Sequence, residues 1–177
     1  MNNVKPDPYK PCPCGSGRKY KFCCRALEQV VSDEHPLVLL KKSAQYPLAR
    51  CVVNDGWQEQ GMANVFVVRQ LTNGKFLCGV YLVDVLCLGV KDAFFNANLS
   101  ATAIDTMLNA TGMPVVAIDY EDARSLILGS IEFASRHGYK PHRDWETAMP
   151  VVEPDKPFNP KFEFGHQGQA IHISGLG

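Results

Sequence analysis

The sequence predicts an α+β fold preceded by a small cysteine-rich head, and three observations carry that prediction. Four of the seven cysteines fall within the thirteen residues from Cys12 to Cys24. A Val- and Phe-rich run from Met62 to Leu71 is followed by Asn73-Gly74 and a second apolar run from Lys75, the pattern of a β-hairpin. Beyond it, residues 100–111 and 119–138 carry apolar side chains at helical spacing. The expected organisation is a head over residues 1–25, a helical connector over 26–46, and over 47–177 an α+β body, a hairpin-containing sheet packed with helices.

With 177 residues, 46% hydrophobic and 20% charged, the chain reads as an ordinary globular protein with one compact domain and a small appendage. Residues 1–11 are polar and Pro-rich, without the apolar core of an export signal. The most apolar stretch, Phe76 to Val90, is interrupted by Asp84 and is shorter than the roughly 20 residues of a membrane span. A soluble, cytoplasmic protein with no membrane span is expected. The formal net charge of zero hides an asymmetry: residues 1–25 hold six bases against one acid, the remainder twelve against seventeen. A basic head either meets an anionic partner or offsets the charge of a metal site.

The head has too few large apolar residues to make a core. Its segment from Pro11 to Cys24 has the spacing Cys-x-Cys-x8-Cys-Cys, and two thiol pairs joined by a short loop can close four sulfurs around one tetrahedral zinc ion. Gly15 and Gly17 allow sharp turns that aim backbone N–H groups at sulfur, Pro11 and Pro13 stiffen the first pair, and Arg18 to Phe22 suits a helical turn back to the second. Four thiolates on Zn²⁺ leave a charge near −2, which Arg18, Lys19, Lys21 and Arg25 would offset while lowering the thiol pKa values. With four protein ligands the ion would be structural, and its binding would supply most of the folding energy, on the order of 10 kcal/mol. The alternative is a redox dithiol pair or disulfides, which call for an oxidising compartment or a thioredoxin-like context; neither is visible.

Residues 11–24 resemble the SEC-C motif, the zinc-binding tail of the SecA translocation ATPase that also occurs in many other bacterial proteins. The resemblance rests on the Cys-Pro-Cys-Gly-Ser-Gly start, the basic and aromatic middle and the final Cys-Cys. It implies one zinc held by Cys12, Cys14, Cys23 and Cys24. It also implies docking, since the SecA tail binds the SecB chaperone and is implicated in ribosome and lipid contacts. No ATPase motor follows here, so translocation does not carry over. Gly89-Val90-Lys91-Asp92 and Gly138-Tyr139-Lys140-Pro141-His142 resemble a domain recurring in bacterial SEC-C proteins.

Within the connector, His35-Pro36 interrupts the helical pattern. In the body, the second hairpin strand is apolar on both faces, so it is expected at the sheet centre under helices. Ser100 caps a helix bearing Ile104, Met107 and Leu108; a second starts near Asp119, carries Ala123, Leu126, Ile127, Ile131 and Ala134, and stops at Gly138. Alternation of Phe162/Phe164 and Ile171/Ile173 predicts a last hairpin over 162–173.

The sequence favours binding over catalysis. The string Arg18-Lys19-Tyr20-Lys21-Phe22, held rigid by metal, is the candidate surface for a protein or ribosomal partner; direct nucleic-acid binding is an alternative. A third reading packs Tyr20 and Phe22 on the body and leaves the bases to balance the thiolates. An enzyme in the body, metal-dependent or hydrolase-like with the head as adaptor, is the runner-up. Its candidates are His137, His142 and Asp144 around one turn, which can bind a second metal or handle protons, and Asp84 with Lys91 and Asp92. The competing structural readings are His137 as a complement to a helix C-terminus and, for Asp84, an ion pair with Lys91 or an exposed strand face. Cys51, Cys78, Cys87, Trp57 and Trp145 read as core or rim residues.

Overall fold

The computed structural model describes residues 6–26 and 34–171. In the connector, helix α1, Pro36–Lys41, opens at His35-Pro36 instead of breaking there. Proline at the first helical position gives up an N–H that would have no partner anyway, and His35 Nδ1 accepts the Leu37 N–H at 3.3 Å. The remainder of the predicted connector before residue 34 lies outside the described residues, apart from Ala26.

Strand β1, Leu48–Asn54, leads through the single turn α2, Trp57–Gln60, into β2, Met62–Gln70. β2 and β3, Phe76–Asp84, form the expected hairpin, in register from Met62 opposite Asp84 to Gln70 opposite Phe76. Asn73-Gly74 sits within the longer loop 71–75 rather than in a two-residue turn; Leu71 N–H donates to the Lys75 carbonyl, and Gly74 takes φ +76°. β4, Gly89–Leu99, continues the meander, and the short β5, Val115–Ala117, adds beside β1. The sheet order is β4-β3-β2-β1-β5, antiparallel throughout.

Side chains alternate between the faces of a strand, and here both faces are apolar. Val53, Val65, Val67, Leu77, Tyr81 and Val83 share a core with Ala123, Leu126, Ile127 and Phe133 of helix α4, Tyr120–Arg136. Val52, Phe66, Val68, Cys78 and Val80 pack with Ile104 and Leu108 of helix α3, Ala101–Asn109. β3 is an interior strand beside the edge strand β4, while β2 holds the centre, and β3 is covered on both sides, as its unbroken apolar run requires. Each fully buried Val, Leu, Ile or Phe contributes about 1.5–3 kcal/mol. Ser100 accepts the Ala103 N–H at 3.1 Å as the predicted cap of α3, and α4 stops where Gly138 takes φ +85°.

The predicted C-terminal hairpin is corrected. Residues 162–171 run irregularly, with one isolated bridge between His166 and Gln169; Ile173 lies outside the described residues. The alternating aromatics face the core instead of a partner strand: Phe162 meets Trp57 edge-on and Phe164 leans on Phe133. Gly165 N–H donates to Val85 O at 2.8 Å and Ile171 N–H to Leu86 O at 3.1 Å, which ties this segment to the β3–β4 loop.

The stretch from helix α5, Trp145–Ala148, to Pro157 also crosses the sheet without a ladder of its own. Two buried arginines satisfy its carbonyls. Arg69 of β2 donates to Val151 O at 3.0 and 2.9 Å and to Tyr46 O at 3.0 Å. Arg124 of α4 donates to Val152 O at 3.0, Glu153 O at 3.1, Lys156 O at 2.6 and Pro157 O at 3.1 Å. Glu153, at φ +51°, turns its carboxylate back to Arg69 and Tyr120 at 2.9 and 2.8 Å. Burial alone would push the Glu153 carboxyl up, but Lys156, Tyr120 and Arg69 together hold it down to about 2. A carboxyl held below its unfolded value contributes stability that is complete above the unfolded pKa and is lost as pH falls through the folded one. Glu153→Gln should therefore cost about 2–3 kcal/mol at pH 7 and, in urea melts across pH, flatten the loss of stability between about pH 4.5 and pH 2.

Candidate metal centre

The head is organised by backbone pairing around its cysteines. Cys12 N–H donates to Arg18 O at 2.7 Å, Tyr20 N–H to Lys10 O at 2.9 Å, and Lys21 N–H to Pro8 O at 3.0 Å, so the loop between the thiol pairs folds back on the segment preceding them. Gly15 and Gly17, at φ +79° and +71°, make the reversal in a region that disfavours residues bearing a Cβ. The Gly15 N–H goes to Cys12 O at 3.2 Å, and the N–H facing sulfur is that of Ser16, bonded to Cys14. A short 3-10 turn, Tyr20–Phe22, then returns the chain to Cys23, whose N–H bonds Tyr20 O at 3.1 Å.

This path brings Sγ of Cys12, Cys14, Cys23 and Cys24 within 4.8 Å of one another, with Cys14 and Cys23 at 3.5 Å. Tetrahedral zinc with bonds of about 2.3 Å requires sulfur–sulfur edges of about 3.8 Å, so the group fits a metal ion with a contraction of at most about 1 Å along an edge. Cys12 is buried, Cys23 and Cys24 half-buried and Cys14 exposed. Hydrogen bonds within the group act unequally on its thiols. Hydrogen bonds from Ser16, side chain first and then N–H, bring Cys14 down to about 6. Hydrogen bonds with Cys12 and Cys14 retain the proton of Cys24 and push it up to about 12. A bound divalent ion would be expected to override this hierarchy, because coordination requires thiolates.

The predicted partner-binding string is split by the fold. Arg18, Lys19 and Phe22 are exposed, Lys21 is half-buried and Tyr20 is buried at 5% exposure, so Tyr20 does not belong to the outer surface. Tyr9, which the sequence did not mark, is exposed beside Lys21 and Phe22 instead. Lys21 Nζ lies 4.2 Å from the Tyr9 ring centroid and 4.6 Å from that of Phe22, and both rings are more than 60% exposed. Only the backbone pairing of residues 8–10 with 20–21 reveals this neighbourhood.

The body candidates separate. His137 sits at the end of α4 with Nδ1 2.9 Å from Phe133 O, the helix-terminal role. Asp84 makes no ion pair with Lys91; its Oδ1 accepts the N–H groups of Leu86 and Cys87 at 2.9 and 3.0 Å, closing the β3–β4 turn. Cys51, Cys78 and Cys87 are buried, as are Trp57 and Trp145; burial pushes Cys51 up to about 11 and Cys78 up to about 12, which keeps both as inert thiols. His142 and Asp144 do come together, joined not by His137 but by Asp92 of β4.

Protein loaded with zinc should resist brief iodoacetamide treatment at Cys12, Cys14, Cys23 and Cys24, and chelation should open all four thiols to labelling. Peptide mass spectrometry reads the labelling, and equal labelling before and after chelation would refute the four-cysteine site.

No helix among the described residues is long and apolar enough to cross a membrane. No curated protein and no solved structure matches the chain. Residues 10–26 do match a known family: they carry a SEC-C motif, and its four cysteines at 12, 14, 23 and 24 form a group able to bind a metal ion.

Proposed function

We propose that this is a zinc-binding protein in which Cys12, Cys14, Cys23 and Cys24 hold one structural Zn²⁺, and that the head so stabilised docks onto a protein or ribosomal partner. The observation that carries the reading is the pair of exposed rings, Tyr9 and Phe22, with Lys21 between them, beside a cysteine group of metal-binding dimensions. Two exposed aromatics flanking a cation offer a contact that is both apolar and charged, and they pre-order a small surface at low entropic cost. Arg18 and Lys19, both exposed, add the positive charge that an acidic protein face or ribosomal surface would meet. Residues 1–25 act as the module, 26–46 as connector and 47–177 as the α+β domain. The compartment that fits this reading is the cytoplasm, whose reducing conditions keep cysteines available to a metal.

Elemental analysis of the purified chain should find one zinc, lost from the Cys23→Ser/Cys24→Ser double variant. A tagged pull-down should recover a partner that is lost with the double variant. It should also be lost with a Tyr9→Ala/Phe22→Ala variant that keeps its zinc. A partner retained by the latter would remove the aromatic surface from recognition. Loss on nuclease treatment, with binding that weakens steeply in salt, would assign the contact to nucleic acid.

A further inference from the structure

A second cluster of metal-ligating groups lies in the body, far along the chain from the cysteines. His142 is pinned to the edge of the sheet by its own backbone: its N–H donates to Val90 O at 2.9 Å, and its carbonyl accepts the Trp145 N–H at 2.9 Å. Trp145 is buried against Tyr81, so the turn bearing His142 and Asp144 is fastened to the core on both sides. Asp92 projects from β4, and its Oδ1 also accepts the neighbouring Ala93 N–H at 2.8 Å.

These anchors place His142 Nδ1 3.6 Å from Asp92 Oδ1 and 3.5 Å from Asp144 Oδ2, with the ligand atoms of the three side chains all within 4.8 Å. A triangle of those dimensions has a point about 2.1–2.4 Å from each corner, which is the bond length of a divalent first-row cation to nitrogen and oxygen. The cluster is poorly neutralised as it stands. Asp144 has a 3.6 Å contact to Arg143, a side chain 89% exposed, whose charge is largely screened by water. The Nδ1 lone pair receives only a long 3.4 Å contact from the Asp144 N–H while two carboxylate oxygens face it.

The geometry points to a second metal site, formed by Asp92, His142 and Asp144, for a divalent first-row transition ion. One imidazole and two carboxylates from a strand and a turn make three protein ligands, and the half-exposed setting leaves further positions to water. That donor set is harder than four thiolates, so the two sites sort ions: zinc is favoured at the cysteines, and manganese is tolerated at the carboxylates. The site is exchangeable because it closes no fold, whereas the cysteine group organises the head around itself.

The test uses the full chain, first loaded with one equivalent of zinc, freed of excess, and then titrated with Mn²⁺ while the signal of free Mn²⁺ is followed by electron paramagnetic resonance. Saturation at one Mn²⁺ per chain is expected, with Asp92→Asn and His142→Gln each weakening binding by at least about tenfold. Glu146→Gln, at an exposed acid outside the triad, should bind as the wild type does. All three positions are at least partly exposed, and unchanged thermal unfolding verifies that the variants remain folded. Absence of saturable binding at millimolar Mn²⁺ overturns the site, as does binding that survives both triad substitutions. An equal loss in Glu146→Gln also overturns it, by showing a diffuse acidic surface.

Discussion

The arrangement of the body depends on two guanidinium groups buried beneath an irregular stretch of chain. Residues 148–157 lie over the sheet outside any ladder, with only a short 3-10 turn at Met149–Val152, so several of their carbonyls need partners from elsewhere, and a buried carbonyl without one costs about as much as a lost hydrogen bond. Arg69 and Arg124 supply most of the missing donors, Tyr81 reaches Ala148 O at 2.9 Å and Ser43 reaches Pro150 O at 2.8 Å. A planar five-donor group can serve several carbonyls at once, which a lysine cannot do. Because Arg69 stands on β2 and Arg124 on α4, the same contacts fix the helix over the sheet and hold the 148–157 stretch against both. With this stretch fastened, Phe158, Phe162 and Phe164 reach the core, and Gly129 lets Phe164 close onto α4.

The head solves the same problem by different means. Among residues 6–26 only Cys12 and Tyr20 are deeply buried, far too little apolar surface to offset the entropy of ordering some twenty residues. Backbone pairing gathers four sulfurs at near-coordination distances, and an ion there would provide the free energy that burial cannot. The fold thus combines a body held by apolar packing and buried arginines with a segment suited to be held by a metal.

How far the sequence could be read follows from the range of the interactions involved. The β2–β3 hairpin, the Ser100 cap and the periodicity of α4 are local signals, and each element lies where its residues indicate. β4 reads poorly because it lies at the sheet edge and alternates buried Val90 and Ala93 with polar Lys91, Asp92 and Asn96. β5 has three residues, too few for a period to show. The C-terminal aromatics alternate as a strand would, yet they pack on Trp57 and Phe133 while their backbone bonds go to Val85 and Leu86. Alternation records which side chains are buried and is silent on what the backbone pairs with.

By itself the sequence determined the α+β class, the helix boundaries set by capping and glycine, and the cysteine spacing that permits one tetrahedral ion. Each depends on residues within a dozen positions of one another, where chain geometry leaves few choices. Tertiary structure alone decided that Tyr20 turns inward while Tyr9 joins Phe22 across Lys21, and that Asp84 closes a turn instead of pairing with Lys91. It also decided that Asp92 meets His142 across some fifty residues of chain and that two arginines are buried to serve carbonyls more than twenty positions away. Contacts of that kind form only when separate elements dock, and the free energy that selects them is shared among all the groups they bring together.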